Sequence, residues 1–145
     1  MTATYQQDFN ALVSSIKVVK SSVNPHYKNA YAPLDAWLDA AHELLPKHGF
    51  SLAERTSYLN CEHGLYLLHE LELSHESGKG IHSVYPVCCV DEKPQAIGSA
   101  LTYARRYHIQ LILNATGETD DDGNQAQAQV TAVKREPVAM KRKLS

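Results

Sequence analysis

The segment between residues 50 and 90 changes from helical to alternating periodicity, and this change most limits the possible folds. In "LYLLHELELSH" leucines at every second position alternate with aromatic or acidic residues, which is typical of a strand with one buried face. "FSLAERTSYL" precedes it and "IHSVYPVCCV" follows it, with turn-like "NCEHG" and "HESGKG" between them. Three strands joined by short turns predict an antiparallel three-stranded meander, and Pro86 places the third strand at an edge or at a bulge. The face predicted to be buried comprises Leu65, Leu67, Leu71, Leu73, Ile81, Tyr85, Val87 and Cys89.

Helical periodicity surrounds this segment. Apolar residues at helical spacing predict a first amphipathic helix from Tyr5 to Val19. "LDAWLDAAHELLPKHGF" predicts a second, with Pro33 suited to its first turn and Gly49 to its C-terminal cap. A third begins at Pro94 in "KPQAIGSALTYARRYHIQLIL", whereas "NPHYKNAYAP" between two prolines predicts a loop. The chain is therefore predicted to have an α+β fold.

The domain boundary follows from composition. A length of 145 residues accommodates one core, and the mixed polar composition after Gly117 has no periodicity. We therefore expect one domain over residues 1–117 and a disordered tail over residues 118–145, acidic first and basic later. No apolar run approaches the roughly 18 residues of a membrane span, and the N-terminus does not resemble an export leader. A cytoplasmic protein that does not enter membranes is expected.

The chain offers no sign of a cofactor. Cys61, Cys88 and Cys89 lack the spacing of a zinc or redox pair, and no two histidines combine metal-like spacing with a suitable partner. "HESGKG" contains Gly-Lys but lacks the first glycine and the following Ser or Thr of a phosphate-binding loop. We predict no bound metal, no cofactor and no use of ATP.

The third helix displays the most informative surface. At about 100° per residue, its buried face comprises Ile97, Leu101, Ala104, His108 and Leu111. The opposite stripe comprises Gln95, Ser99, Thr102 and Arg106, with Gly98 and Arg105 on one flank and Tyr103 and Tyr107 on the other. Such a stripe suits a phosphate backbone lying along the helix, with rings available to stack on bases. The alternatives are an ordinary solvated face, tyrosines half-buried against the core, and a core histidine at His108.

Two further segments are candidates for function. In the loop, Tyr27, Lys28 and Tyr31 interleave a charge with rings, as single-strand-binding surfaces do, although the tyrosines could instead anchor the loop on the core. The acidic run Asp120–Asp122 raises the possibility of a magnesium-dependent nuclease. Consecutive side chains diverge, however, so a charged cap, an arginine partner or a solvated run fits this acidic segment better.

Several blocks together resemble the Erf family, the essential recombination function single-strand annealing proteins of phages and prophages. They are "NPHYKNAYAPLDAWLDA", "LLPKHGF", "SGKGIHSVYPV", "PQAIGSALTYARRYHI" and "DDDGN", within roughly residues 20–124. The resemblance implies a β-meander packed on a long helix with N-terminal helices. It also implies ATP-independent single-stranded DNA binding and annealing in recombination, without catalysis, by a homo-oligomeric ring or filament. His108 departs from the small or apolar residue common in the family, and the C-terminal region is short.

The resemblance places the family's basic helix positions on Arg105 and Arg106, and its loop positions on Tyr27, Lys28 and Tyr31. A net charge of −2 means that DNA contact must come from a local stripe, repeated by oligomerisation along one strand. A phage protein of this kind would act in the bacterial host cytoplasm, with a single-strand-binding protein or an exonuclease as possible partners. The competing hypotheses are a protein-interaction module, whose arginines pair with a neighbour's acidic run, and the magnesium nuclease.

Overall fold

The structure, a computed structural model, describes residues 3–26, 28–89 and 93–115. Tyr27, the predicted tail and the acidic run Asp120–Asp122 lie outside the described residues. The elements in chain order are α1 Tyr5–Ser15, β1 Ser22–Val23, β2 Ala30–Tyr31, α2 Leu34–Leu44, a 3₁₀ turn Pro46–His48, β3 Phe50–Cys61, β4 Gly64–His75, β5 Gly80–Val87 and α3 Pro94–Ile112.

The predicted meander is confirmed. β4 lies between β3 and β5, and both pairings are antiparallel. The β3–β4 register ends at Cys61 opposite Gly64, so a two-residue turn connects these strands. Pro86 pairs opposite Leu68 on the outer strand β5, where a missing N–H can face away from the sheet. The α+β class and the edge position of Pro86 are therefore both as predicted.

One face of the sheet packs beneath α3. This helix contacts β4, β5 and α2, and Leu71 and Leu73 of β4 are completely buried below it. Leu65 on the same face is 66% exposed, contrary to the prediction, because the β3–β4 hairpin continues past the elements that cover its base. Alternation thus identifies the face of a strand correctly, but it does not indicate how far along the strand the covering helix reaches.

The first helix is shorter than predicted. A capping box joins Thr4 and Gln7 at its start, and it ends at Ser15, after which Ile16 is extended. The Ser14 and Ser15 hydroxyls donate hydrogen bonds to the carbonyls of Asn10 and Ala11. Such bonds from side chains to the backbone of the preceding turn slightly destabilise a helix. Val19 is exposed, so the helical spacing that includes it is coincidental. The β-branched residues after Ser15 favour the extended backbone found there.

Prolines and a glycine lie at the ends of the remaining elements. Pro46 ends α2 and starts the 3₁₀ turn, and Gly49 caps that turn in the left-handed conformation, with φ 73°. Pro94 opens α3, as predicted. The predicted loop between α1 and α2 also contains a short antiparallel ribbon, in which Ser22 pairs with Tyr31.

The core joins the three helices to the sheet. Its fully buried large apolar residues come from α1, α2, β4, α3 and the turn after α3: Leu12, Trp37, Leu71, Leu73, Ile109 and Leu113. The predicted buried face of α3 is confirmed at Ala104 and His108 but is wrong at Leu111, which is exposed. Ile109, Gln110 and Ile112 are buried instead, because the C-terminal half of α3 packs against both α2 and the sheet.

Leu71→Ala should reduce the free energy of unfolding by about 2–5 kcal/mol, because it leaves a cavity in the core. Leu65→Ala, on the same strand and face but exposed, should change it by about 0.5 kcal/mol or less. Urea unfolding of both variants would measure the difference. Equal losses would contradict the packing described.

Candidate nucleic-acid interface

The outer surface of α3 presents the predicted polar stripe to solvent. Gln95, Ser99 and Thr102 are all exposed. Thr102 donates its hydroxyl to the Gly98 carbonyl at 3.0 Å, a local bond that leaves the hydroxyl oxygen able to accept. Tyr103 follows on the same surface and is 55% exposed. The stripe is therefore small in side-chain volume, neutral and accessible along the first half of the helix.

Arg106 lies among three tyrosine rings. Its guanidinium carbon is 4.4 Å from the ring centroid of Tyr31, 5.1 Å from that of Tyr107 and 5.5 Å from that of Tyr103. The rings of Tyr103 and Tyr107 are themselves 4.5 Å apart. Each ring face attracts a cation, and each contact restricts an otherwise flexible side chain. The positive charge of Arg106 is thus held in place between α3 and β2.

The loop between β1 and β2 is closed by Asn24. The Lys28 N–H donates to the Asn24 carbonyl at 2.7 Å, and the Asn24 N–H donates to the Asn29 carbonyl at 3.0 Å. Lys28 is exposed and adopts a left-handed backbone with φ 56°. The structure therefore joins the loop to α3 through Tyr31 and Arg106. The Tyr31 ring therefore anchors the loop, which was one sequence interpretation. The same ring contacts an arginine predicted to bind DNA, which is compatible with the other interpretation.

Arg105 faces the sheet, whereas Arg106 faces β2. Its Nε and Nη2 donate to the two carboxylate oxygens of Glu54 on β3, at 2.7 and 3.0 Å. This bidentate geometry is the strong form of an arginine–carboxylate pair. The hydrogen bonds to Glu54 raise the pKa of Arg105 above its usual range. Of the two adjacent arginines, Arg105 therefore ties α3 to the sheet, and its predicted DNA contact stays a prediction.

Glu54 also begins a buried polar chain beneath α3. His69 Nε2 lies 2.9 Å from Glu54 Oε2, the two Nδ1 atoms of His69 and His108 are 3.0 Å apart, and His108 Nε2 lies 2.9 Å from Ser83 Oγ. With both imidazoles neutral, one pattern satisfies every atom. Ser83 donates to His108, His108 Nδ1–H donates to His69, and His69 Nε2–H donates to Glu54.

The charge states along this chain follow from its surroundings. Partial burial raises the pKa of Glu54, but the hydrogen bonds from Arg105 and His69 and the charge of Arg105 outweigh it, so the pKa lies below its ordinary value. Burial and the neighbouring His69 lower the pKa of His108 to about 4. At neutral pH Glu54 is thus ionised and His108 neutral. His108 is a satisfied core histidine, as one sequence interpretation held.

Glu54, His69 and Ser83 were not predicted from the sequence as residues of the site. All three lie on the inward-facing positions of their strands, opposite or beside buried leucines. A charged residue and a histidine at such positions signal a buried polar contact, because burial without a partner is unfavourable. Among the described residues, no cluster of three or more His, Cys, Asp or Glu side chains could hold a metal ion.

The sequence of this chain matches a known protein family. A profile of the ERF superfamily matches residues 5–143, which is nearly the whole chain. The chain belongs to the ERF superfamily. This confirms the family resemblance seen in the sequence, and it supports a general role in phage DNA recombination of the annealing type. No curated protein matches the sequence. Within the described part of this ERF protein, no helix is both long and apolar enough to cross a membrane.

Arg105→Ala should reduce the free energy of unfolding by about 1–3 kcal/mol, because Glu54 loses a charged bidentate donor at a site only 22% exposed. Arg55→Ala is the matched control. Arg55 also pairs with a glutamate of the same sheet, but its side chain is 57% exposed, and its loss should change stability by about 1 kcal/mol or less. Denaturant unfolding of both variants measures the difference, and an equal effect would refute the anchoring role of Arg105.

Stability should also fall as the pH is lowered from about 6.5 to about 4. In this window the unfolded chain protonates His108 while the folded chain keeps it neutral, so the unfolded state binds more protons. Above pH 6.5 His108 causes no loss of stability. By about pH 4 its effect on the free energy of unfolding reaches at most about 3 kcal/mol of destabilisation.

His108→Gln should remove this part of the pH dependence, even if the variant is less stable at pH 7. Unfolding curves at pH 7, 6 and 5 for both proteins provide the test. An unchanged slope between pH 7 and pH 5 in the variant would contradict a neutral buried His108. Glu54 acts in a lower window, since its stabilising ionised form is lost below its ordinary pKa.

Proposed function

We propose that this ERF protein binds single-stranded DNA and anneals complementary strands without ATP, during recombination of phage or prophage DNA. The observation that carries the proposal is the position of Arg106. Its charge is held by three tyrosine rings next to an exposed, neutral, hydrogen-bonding stripe on α3. Such a surface offers a cation and small polar groups to phosphates over a length of helix.

Annealing restricts which contacts a protein can make. The bound strand must be held by its backbone, while the base edges stay readable by the incoming strand. A cationic and polar surface without base-specific groups meets this requirement. Tyr103 adds an exposed ring beside Arg106, and stacking on a base face tolerates any sequence. We assign phosphate contacts to Arg106, Gln95, Ser99 and Thr102, and base stacking to Tyr103.

The loop between β1 and β2 extends this surface. Lys28 is exposed, and Tyr31 of the same loop already contacts Arg106. We therefore propose Lys28, Tyr27 and Tyr31 as the second half of the DNA-binding surface. Arg105 contributes by fixing α3 through Glu54, because the ion pair with that carboxylate cancels most of its charge toward a bound strand.

The charge of the chain favours an assembly. A single subunit of net charge −2 attracts phosphates weakly, so tight binding needs several subunits whose stripes contact one strand. We propose a homo-oligomeric ring or filament without a catalytic step, acting in the cytoplasm of a bacterial host. A single-strand-binding protein or an exonuclease that produces single strands would be its partner.

Annealing of two complementary labelled oligonucleotides by the purified protein, without ATP and over a range of salt concentrations, tests the proposal directly. Acceleration over the spontaneous rate that weakens as salt rises is expected, because phosphate contacts release counterions. A folded protein that gives no acceleration at any salt or magnesium concentration would overturn it. DNA degradation that requires magnesium and Asp120–Asp122 would favour the nuclease instead.

Arg106→Ala should weaken single-stranded DNA binding for every sequence and make its salt dependence shallower. Arg106→Lys should not fully restore binding, because a lysine lacks the planar group that packs on the tyrosine rings. Tyr103→Ala should weaken binding by about 5- to 150-fold and change the salt dependence little, since it removes a stacking ring while Tyr31 and Tyr107 still contact Arg106.

Fluorescence anisotropy at several salt concentrations measures both quantities. Arg55→Ala serves as the control, because that arginine lies on the other face of the sheet and pairs with Glu70. If Arg106→Ala dissociated the oligomer and left the salt dependence of the remaining binding unchanged, the arginine would belong to a subunit contact. That result would support the interaction-module hypothesis.

A further inference from the structure

The buried polar chain beneath α3 ends at the surface. Its last member, Ser83, is partly exposed on the inner face of β5 and lines a groove between α1, β5 and the C-terminal end of α3. The volume of this groove is about 360 Å³. Its other lining residues are Phe9, Ile81, Leu111, Ile112 and Asn114. A hydroxyl bonded to a buried histidine is therefore accessible to a small molecule.

The order of the groups along the chain is that of a serine nucleophile and its base. Ser83 Oγ lies 2.9 Å from His108 Nε2, and His108 Nδ1 lies 3.0 Å from His69 Nδ1. His69 Nε2 in turn lies 2.9 Å from the Glu54 carboxylate. A hydroxyl within hydrogen-bond reach of an imidazole, whose second nitrogen is held by a further group, is the arrangement that activates a serine for attack.

The charge states along the chain suit this role. Glu54 is ionised in spite of its burial, because Arg105 and His69 donate to it, and His108 is neutral and can accept a proton. If the Ser83 proton moves to His108 Nε2, every hydrogen bond of the chain is kept, and the new positive charge is linked to Glu54 through His69. The low pKa of His108 makes it a weak base, so slow turnover is expected.

The edge of β5 supplies a donor for a developing oxyanion. Pro86 has no N–H, so its pair with β4 is one that does not exchange backbone hydrogen bonds. The bond from the His75 N–H to the Lys79 carbonyl, at 2.8 Å, fits the same alternation farther along. This alternation directs the Val84 N–H away from β4. Because β5 is an outer strand in the described part of the sheet, that N–H, adjacent to Ser83, is not used by the ladder.

We propose that Ser83, with His108 as its general base, is the nucleophile of an acyl-transfer site that hydrolyses small neutral carboxylic esters. The groove favours such a substrate, because no charged residue is among the described residues that line it. Its volume also lies near the lower end of the range for small-molecule sites. His69 and Glu54 act as positioning residues. The activity is separate from annealing, which needs no catalytic step.

The reaction has two steps. In the first, Ser83 Oγ forms a bond to the ester carbonyl carbon while its proton passes to His108 Nε2. The bond from that carbon to the alcohol oxygen then breaks, and His108 returns the proton to the departing alkoxide, which leaves an acyl group on Ser83. In the second, the oxygen of a water molecule attacks the acyl carbon, one water proton passes through His108 to Ser83 Oγ, and the carboxylic acid departs.

A fluorophosphonate probe provides the first test, because it reacts covalently with activated serines. Mass spectrometry of the labelled, unmodified protein should locate one label on Ser83, and Ser83→Ala should take no label. Ser51→Ala is the matched control, since Ser51 is exposed on the opposite face of the same sheet, and it should be labelled like the unmodified protein. A label on another residue, or a folded protein that takes no label, would overturn the proposal.

Hydrolysis of p-nitrophenyl butyrate provides a second measurement. The unmodified protein should exceed the spontaneous rate, and Ser83→Ala should fall to it. His69→Gln should lower kcat by about 100-fold or more and leave KM unchanged, because it disturbs the base but not the groove. Equal hydrolysis by Ser83→Ala and the unmodified protein would overturn the proposal. A raised KM with unchanged kcat in His69→Gln would overturn the positioning role of His69. Neither measurement uses DNA, so both outcomes are independent of annealing.

Discussion

The Glu54 carboxylate receives hydrogen bonds from Arg105 on the helix and from His69 on the adjacent strand, and this junction fixes α3 on the sheet. Apolar contacts alone would allow the helix to slide or rotate by small amounts, since they have little directionality. The polar chain through His108 to Ser83 prevents such movement, because each of its groups would lose a hydrogen-bond partner in a weakly polar interior.

The direction of Arg106 depends on that junction. Successive residues of a helix point about 100° apart. Once Arg105 is directed toward Glu54, Arg106 necessarily faces a different neighbour, which is the Tyr31 ring of β2. The DNA-binding surface proposed for α3 therefore depends on the Arg105–Glu54 pair, which faces the sheet and not that surface. One arginine thus has a structural role, and its neighbour is the one proposed to contact DNA.

Much of the fold could be predicted because its signals are local. Pro86 and Pro94 restrict the backbone by their own covalent geometry and have the predicted roles. Gly49 adopts the expected left-handed conformation, but it caps the 3₁₀ turn after α2 and not α2 itself. The errors at Val19 and Leu111 have another origin. Whether an apolar residue at helical spacing is buried depends on which element lies next to it, and that information is not in the segment itself.

The candidate site also has a part that local sequence predicts and a part that depends on distant residues. The exposed stripe on α3 follows from helix geometry and could be predicted at Ser99 and Thr102. The different roles of Arg105 and Arg106 could not, because Glu54 is 51 residues away in sequence. The sequence does contain a signal, because Glu54 shares a strand face with Leu52, and His69 lies between Leu67 and Leu71 on its own strand face. A polar or charged side chain on the apolar face of a strand therefore indicates a buried polar partner.

The β3–β4 hairpin has a consequence for how the chain folds. Its two strands are joined by a two-residue turn and paired over twelve positions, so every one of its backbone pairings closes a short loop. Loop closure is least unfavourable for such local contacts, whereas joining α1 to β4 must close a loop of more than sixty residues, from Asp8 to His75. We expect the hairpin to zip up first, from its turn. The part of the subunit that stands farthest from the core would then be the earliest to acquire structure, before the helices that bury its base have docked.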